Sequence, residues 1–383
     1  MIKSTTSKPT ISVYELMKQF PNEEAARKHI EKIRWNGKPV CPRCKNDVRQ
    51  YERRTRPGYH LCKNCNNEYT VRTGSILERS HIPLHKWLHA AYSHMTARKG
   101  VSSLQLSKEL GHTQKSTWHL SHRIREACGD DNNPQLLKGE VEADESYFGG
   151  KEANKHASKQ LKAGRGTIGK TPVLGIRERG GRVGGIVLKD TSKKTIQGEL
   201  NKRIDKDSTL YTDEHKSYQG NKFNHKTVNH SAKQFVDGQA NTNSIESYWS
   251  LLKRGHYGTH HHFSKKHLQK YVDEFAFRLN DGNVKRHTME RIDSLLNNAT
   301  GKRLTYKRLT KGNPEYIKEN GQYEMIKSVL KVGALQNLME NAPLNKSVKI
   351  SNIKDSKDIL AEAKSKNDNK SETNNTENNV SLK

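Results

Sequence analysis

Residues 139–150 read GEVEADESYFGG, a short β-prone run closed by glycines at both ends. Strict alternation puts its acidic and hydroxyl side chains on one face of a strand and its apolar ones on the other. The polar face holds Glu140, Glu142, Asp144 and Ser146. Because a core strand rarely carries an acidic face, the run predicts a strand that brings carboxylates to a functional cleft.

Two further acidic residues occur in comparable contexts. Asp213 ends the β-prone run STLYTDEHKSY (208–218), where a carboxylate can project from the strand end into a cleft. The run NTNSIESYWSLLKRG (241–255) predicts a helix with an apolar stripe opposite a polar face. That polar face holds Asn243, Glu246, Ser250 and Lys253. Three carboxylates on a strongly basic chain predict metal-dependent chemistry on nucleic-acid phosphates.

Four ordered runs carry a family resemblance. They are EADESYFGGK (142–151), LYTDEHKSY (210–218), NSIESYWSLLKRGHYGTHHHFSKKHL (243–268) and YVDEFAFRLN (271–280). Together they resemble the DDE insertion-sequence transposases of the ISXO-like class, which place a zinc ribbon ahead of an RNase H-like domain. The resemblance runs in order from about residue 12 to about residue 310.

The resemblance implies a catalytic triad of Asp144, Asp213 and Glu246, which holds Mg²⁺ or Mn²⁺, followed by the basic residue Lys253. Some relatives carry Asn in the third position, and Asn243 lies one helical turn before Glu246, so both residues remain candidates. We favour Glu246 because a carboxylate is the better ligand for Mg²⁺. The implied activity is cutting at the ends of an element and joining of the 3′-hydroxyl ends to target DNA. Holding two ends together implies a homo-oligomer.

Composition agrees with a nucleic-acid partner. The 383 residues carry a formal net charge of +28, which would strain a compact fold unless a polyanion is bound. Hydrophobic content is 31%, and residues 343–383 are rich in Asn, Lys, Ser, Asp and Glu and contain no aromatic residue, which predicts a disordered tail. No stretch resembles a membrane span or a secretion signal. We therefore expect a soluble, cytoplasmic, nucleoid-associated protein with no membrane partner.

Four of the five cysteines form two CxxC pairs, CPRC (41–44) and CKNC (62–65). This spacing predicts a structural Zn²⁺ site. The predicted ligands are Cys41, Cys44, Cys62 and Cys65. The alternative, a pair of disulfides, requires a secreted protein. Cys128 stands apart and is expected to be a packed core thiol. Between the pairs, RQYERRTRPGYHL (49–61) is suited either to a phosphate backbone or to an ordinary solvated hairpin.

Residues 99–127, KGVSSLQLSKELGHTQKSTWHLSHRIREA, predict two helices separated at Gly111. This is the pattern of a helix-turn-helix, and a plain helical hairpin is the alternative. The family resemblance favours DNA binding. The residues expected to contact DNA are Lys115, His119, Arg123 and Arg125, together with Lys253 and Arg254 of the later helix.

A cluster of five histidines follows the third acidic residue. It consists of His256, His260, His261, His262 and His267. Imidazoles suit a transition metal, but a flexible tract lacks fixed ligand geometry, so contacts with DNA are the favoured interpretation. The next segment repeats apolar residues at helical spacing from Leu268 to Leu279 and predicts a core helix.

The predicted fold class is a multidomain α+β protein. Its expected parts are N-terminal helices with the zinc ribbon (1–78), a helix-turn-helix-like region (79–130), an RNase H-like catalytic domain (135–282), a basic helical extension (283–342) and the polar tail (343–383). Two other functions fit the same residues. One is an RNase H-like nuclease that cuts without strand transfer, and the other is a DNA-binding protein without catalysis.

Overall fold

The computed structural model describes residues 10–129, 136–150, 152–161, 166–228, 243–311, 316–319 and 322–325. These residues belong to two compact units, Met1–Gly312 and Asn313–Lys383. The predicted polar tail, 343–383, lies outside the described residues.

Two helices and a small sheet form the N-terminal part. Helix α1 (Val13–Gln19) begins with a reciprocal capping box, in which Ser12 and Glu15 each bind the other's backbone N–H. Helix α2 (Glu23–Trp35) is capped by Asn22. Strands β1 (Gln50–Glu52), β2 (His60–Cys62) and β3 (Asn67–Tyr69) make an antiparallel sheet.

Three helices follow the ribbon. They are α3 (Leu84–Thr96), α4 (Ser103–Leu110) and α5 (Gln114–Cys128). Helix α4 ends where Gly111 adopts a left-handed conformation, with φ of 63°. The two predicted helices and their separation at this glycine are therefore confirmed.

A five-stranded mixed sheet forms the centre of the next domain. Its elements are β4 (Glu140–Phe148), β5 (Thr171–Glu178), β6 (Val183–Val187), α6 (Lys193–Arg203), β7 (Thr209–Asp213), β8 (Asn224–Val228), α7 (Asn243–Gly255) and α8 (Leu268–Leu279). The strand order is β6-β5-β4-β7-β8, and β7 is parallel to both β4 and β8. Helix α6 packs on one face, and α7 and α8 pack on the other. This arrangement is the RNase H-like fold that the resemblance implies.

The segment after α8 corrects one prediction. Helix α9 (Thr288–Asn298) buries Ile292 and Leu295 in the same core as α2, α3 and α5, and α10 (Tyr306–Lys311) follows it. Because α9 has an apolar stripe that this core covers, residues 288–311 are not a separate extension. In the second unit, β9 (Tyr316–Glu319) and β10 (Gln322–Met325) pair antiparallel, so these residues of the predicted helical extension are strands.

None of the helices in the described part of the chain has the length and apolar character that crossing a membrane requires.

Candidate active site

The four cysteines of the CxxC pairs converge beside the three-stranded sheet. Their Sγ atoms all lie within 4.8 Å of one another, and Cys41–Cys65 and Cys44–Cys62 are each separated by 3.6 Å. Tetrahedral zinc with Zn–S bonds of about 2.3 Å needs sulfur atoms about 3.8 Å apart. All five cysteines of the chain are free thiols. The geometry therefore supports a structural zinc site rather than disulfides.

Two of the predicted catalytic acids lie on neighbouring parallel strands. Glu142 of β4 is aligned with Tyr211 of β7, so the same register two residues further brings Asp144 beside Asp213. Burial raises the pKa of Asp144, and the negative charge of Asp213 raises it further. The Trp249 indole and the Lys253 ammonium act in the opposite direction on that pKa. A half-buried carboxylate on the central strand thus lies within electrostatic range of a second half-buried carboxylate and of a cation on α7.

A buried acid of the same strand holds the N-terminus of α7. Glu142 Oε2 accepts a hydrogen bond from the Ile245 backbone N–H at 2.9 Å, and Oε1 accepts one from Arg179 Nε at 2.9 Å. Arg177 Nη1 donates to the Ser244 carbonyl at 2.6 Å. A carboxylate at a helix N-terminus satisfies free N–H groups and favours the helix dipole. The acidic face of β4 therefore has two tasks, because Glu142 places the helix while Asp144 faces the cleft.

Helix α7 runs alongside β4 in the same direction. Ile245 lies at the level of Glu142, and Trp249 Nε1 donates to Asp144 Oδ2 at 2.9 Å. Two residues of strand and four residues of helix both advance about 6 Å, so the two contacts are compatible with a straight helix. Glu246, which is exposed, follows Ile245 directly.

The structure does not bring the three acids as close together as the four cysteines. In the described ranges, the cysteines are the group whose possible ligand atoms lie within 4.8 Å of one another. Asp144 and Asp213 are neighbours on the sheet, while Glu246 lies in the first turn of α7. Asn243 is the first residue of that helix.

Sequence reasoning missed Glu145, which lies next to Asp144. Burial raises the pKa of Glu145 to about 7; the nearby Tyr218 hydroxyl lowers it, and the charges of Asp213 and Asp144 raise it. Among the described residues, neither Glu145 Oε1 nor the Tyr218 hydroxyl meets a partner with hydrogen-bond geometry. Alternation along β4 could have indicated this position, because it puts Glu145 on the face of Val141 and Ala143.

Two segments of the chain match transposase domains. Residues 136–280 match the ISXO2-like transposase domain, and residues 21–68 match the transposase zinc-ribbon domain. A protein of Halobacterium salinarum described as "uncharacterized protein in transposable element ISH50" is 31% identical over 277 residues, which cover 68% of this chain and 92% of that protein. The chain belongs to the ISXO2-like transposase family.

A shorter relative agrees with this membership. An "uncharacterized transposase-like protein" of Haemophilus influenzae is 27% identical over 103 residues, which cover 26% of this chain and 82% of that protein. The zinc ribbon and the mixed sheet of the transposase domain are thus the two parts of the chain that family membership explains.

The helix predicted to read DNA in this transposase is largely buried. Arg125 is 2% exposed, and its Nε donates to Glu274 Oε2 at 2.6 Å. Arg123 donates to the backbone carbonyls of Leu304 and Glu78 at 3.1 and 2.9 Å. The predictions that Arg123 and Arg125 contact DNA are therefore wrong, since both guanidinium groups bind the protein's own interior.

The remaining residues of that helix differ in exposure. His119 is half-buried and its Nε2 donates to the Leu304 carbonyl at 3.1 Å. Lys115 is exposed, with its Nζ 5.0 Å from the centre of the Tyr306 ring. Lys115 is thus the residue of the predicted set on α5 that remains open to a partner, and Arg254 on α7 is also exposed.

Glu274 is the centre of a buried charged network that ties α8 to the helical region. It accepts hydrogen bonds from Arg125, Arg278 and His94. Burial alone would raise the pKa of Glu274, but the positive charges of Arg125 and Arg278 and the hydrogen bond from His94 hold it well below its usual value. The network is structural, because every member lies inside the fold.

The histidine cluster is also more ordered than predicted. His256–His260 form a π-helical turn that continues α7. His256 is 4% exposed and packs against Phe148 and Phe263, with ring centres 5.9 and 4.7 Å away. Burial lowers the pKa of His260 to about 3. The predicted flexible tract with DNA-contacting histidines is therefore wrong for His256 and His260. His261 and His262 are exposed.

Proposed function

We propose that this family member is a DDE transposase that cuts DNA at the ends of an insertion sequence and joins the 3′-hydroxyl ends to target DNA. The observation that carries the proposal is that Asp144 lies within electrostatic range of both Asp213, on the neighbouring parallel strand, and Lys253. The negative charge of Asp213 raises the pKa of Asp144, and a site where two carboxylates repel each other is a favourable place for a divalent cation, because the cation removes the repulsion.

The residues present fit a divalent metal. Carboxylate oxygens are the ligands that Mg²⁺ and Mn²⁺ prefer; Asp144 is half-buried on the central strand β4, and Asp213 is half-buried at the end of β7. We propose that Asp144, Asp213 and Glu246 would hold two such ions. When bound, such ions activate a water or a 3′-hydroxyl and stabilise the leaving oxygen.

The protein's own groups have distinct tasks in this proposal. Trp249 holds one oxygen of Asp144 in a fixed direction, which leaves the other oxygen for a ligand. Lys253 neutralises charge on the phosphate near the scissile bond. Glu142 and Arg177 fix the start of α7, so that the third ligand is held at a constant height above the sheet.

The course of α7 favours Glu246 over Asn243 as the third ligand. Trp249 marks the level of Asp144 on this helix. Glu246 precedes Trp249 by three residues, or about 4.5 Å along the axis, and Asn243 precedes it by six residues, or about 9 Å. A glutamate side chain also reaches farther than an asparagine. We therefore propose Asp144, Asp213 and Glu246 as the triad.

DNA is the proposed substrate and partner. The net charge of +28 suits a polyanion, and exposed lysines such as Lys115 and Lys253 would contact phosphates. Such a substrate would place the protein at the nucleoid. Synapsis of two element ends would require at least a dimer.

The test uses purified protein, a labelled duplex that carries an element end, and a supercoiled target. Wild-type protein with Mg²⁺ should nick the 3′ end and yield joined products. Asp144→Asn, Asp213→Asn and Glu246→Gln should each reduce both reactions at least 100-fold while end binding stays within about twofold, because a lost ligand removes charge and not the fold. Asn243→Ala should retain most activity and serves as the matched control.

Three outcomes separate the alternatives. Nicking without joined products would indicate a nuclease. Binding without any Mg²⁺-dependent nicking would indicate a DNA-binding protein that lacks catalysis. If Asn243→Ala is inactive while Glu246→Gln cuts normally, the third ligand lies one turn earlier on α7.

A further inference from the structure

An exposed tyrosine stands on the turn that follows the proposed catalytic helix. The π-helical turn His256–His260 ends where His261 adopts φ of 58°. His256 anchors the turn in the core, and its neighbour Tyr257 points outward with 68% of its surface exposed. A π-helical turn in an otherwise regular helix often marks a functional site. A ring of this size at the surface is available for a partner.

Three exposed cations line the same groove as this ring. Lys253 and Arg254 precede Tyr257 by about one turn of the same helix, and Lys99 comes from the connection between α3 and α4. With Tyr257 they line one open groove. Among the described residues, neither Lys99 nor Lys253 has an acidic partner within 4.0 Å, which is the limit for an ion pair. Within the described part of the chain, the groove therefore offers two lysines without ion-pair partners beside an aromatic ring.

The two walls of the groove are held in direct contact. Gly255 lies so close to the α3–α4 connection that a Cβ there would be 3.1 Å from the Lys99 carbonyl and 2.1 Å from Phe275 Cζ. Gly100, at φ of 88°, would place a Cβ 2.7 Å from His260 Nε2. Because these approaches need glycine, Lys99 is fixed opposite the end of α7. The groove is thus preformed and needs no ordering of its walls.

The groove is also next to the proposed active site. Lys253 lines the groove and at the same time lowers the pKa of Asp144 by its charge. A strand whose phosphates lie along the groove would therefore continue to the carboxylates. The cations alone would suffice to bind the phosphates of a duplex. The exposed ring adds a surface on which an unpaired base can stack.

We propose that this groove binds a short unpaired DNA segment, with Lys99, Lys253 and Arg254 on its phosphates and the Tyr257 ring stacked on one base. The inference rests on the proposed function in one respect, namely that the segment belongs to the DNA strand that enters the active site. Stacking on tyrosine tolerates any base, so the groove selects unpaired structure and not sequence.

The test measures binding of the full-length protein without added Mg²⁺, so that no cleavage occurs. The probes are a blunt duplex and the same duplex with a single-stranded 3′ overhang. Tyr257→Leu should weaken binding of the overhang probe about tenfold, which is the effect of losing about 1.4 kcal/mol of stacking, and should change blunt-duplex binding less than about twofold. Tyr257→Phe keeps the ring and should bind both probes like the wild type.

A second readout identifies the contact directly. An overhang that carries 5-iodouracil should cross-link to Tyr257 on irradiation, and the cross-link should disappear in Tyr257→Leu. Lys99→Ala should weaken binding of both probes. It should also reduce the slope of log affinity against log salt concentration by the amount expected for about one phosphate contact. Tyr14, an exposed tyrosine on α1, provides the control, because Tyr14→Leu should change neither probe.

Equal losses on both probes in Tyr257→Leu, or no loss on either, would overturn the proposal, as would a cross-link to another part of the chain. The proposed function fails separately. A protein that binds the overhang through Tyr257 but never nicks DNA with Mg²⁺ would overturn the proposed transposase activity and leave the groove proposal intact. A protein that nicks and joins DNA but binds the overhang equally well in Tyr257→Leu would overturn the groove proposal and leave the transposase activity intact.

Discussion

Trp249 Nε1 of α7 donates a hydrogen bond to Asp144 Oδ2 of β4 at 2.9 Å. The indole can reach this carboxylate because the residue paired with Asp144 on β5 is Gly175. A Cβ at Gly175 would lie 2.5 Å from Trp249 Cζ2 and 2.9 Å from Ile245 Cδ1. The absence of a side chain on one strand thus sets the distance between the helix and the acid on the next strand.

Gly175→Ala is therefore expected to push α7 away from the sheet. Overpacking of this kind costs about 1–3 kcal/mol of unfolding free energy. The cleavage rate should be measured at a temperature where the variant stays folded. It should still fall, because Asp144 loses its fixed orientation. Gly184→Ala on the neighbouring strand is the control, since its Cβ would meet Ile176 at an ordinary 3.5 Å. Equal cleavage by both variants would contradict this role for Gly175.

The zinc site gives a second prediction. Cys65→Ser should remove bound zinc and unfold the ribbon, because closing a Cys₄ site stabilises a segment with few apolar residues. Cys128→Ala is the control, since Cys128 is a buried thiol whose pKa is raised by burial. It should keep a full complement of zinc. Metal analysis of protein purified under reducing conditions measures both, and zinc retained at wild-type level in Cys65→Ser would exclude this ligand.

Arg125 and Lys115 lie on the same helix and should behave in opposite ways. Arg125→Ala leaves Glu274 buried with one partner fewer, which should cost about 3–5 kcal/mol in urea unfolding. Lys115→Ala removes an exposed cation and should leave stability unchanged while it weakens DNA binding and its salt dependence. If Arg125→Ala were as stable as the wild type but selectively defective in DNA binding, Arg125 would be exposed to DNA in solution and not buried against Glu274.

The difference between these two residues shows what the sequence could predict. Signals that act within a few residues predict the structure correctly: the capping box at Ser12, the helix end at Gly111 and the spacing of Cys41 and Cys44. Arg125 was misplaced because its partner, Glu274, is 149 residues away. A basic residue on a helix has the same sequence pattern whether it meets phosphate or a buried carboxylate.

In the candidate site too, the sequence predicts the local elements but not the contacts between distant residues. Alternation placed Asp144 on the strand and the apolar stripe placed Trp249 on the helix, but their hydrogen bond joins residues 105 positions apart. The sequence places Glu142 on the acidic face of β4, but it does not show that this carboxylate binds the backbone at the start of α7. His256 looked like a surface residue because a run of histidines is polar, whereas burial depended on Phe148 of a distant strand.

The buried histidines should make the stability of the protein depend on pH. His122 is fully buried, its ring lies 4.6 Å from that of Trp118 and 4.8 Å from that of His267, and neither of its nitrogens has a hydrogen-bond partner among the described residues. Burial, together with the charges of Arg125, His267 and Lys270, lowers its pKa to about 2, while Glu274 raises it slightly.

A lowered folded-state pKa means that the unfolded chain takes up the proton first. Stability from this group is complete above the unfolded pKa of about 6.5 and decreases as the pH falls, by about 1.4 kcal/mol per pH unit for one proton. Between pH 7 and pH 5 the loss should be roughly 2 kcal/mol from His122. His122→Phe keeps a ring among its aromatic neighbours and should flatten the dependence of unfolding free energy on pH. His262→Gln, at an exposed position, should leave the slope unchanged. Equal slopes for wild type and His122→Phe in urea titrations would show that His122 does not stay neutral in the folded protein.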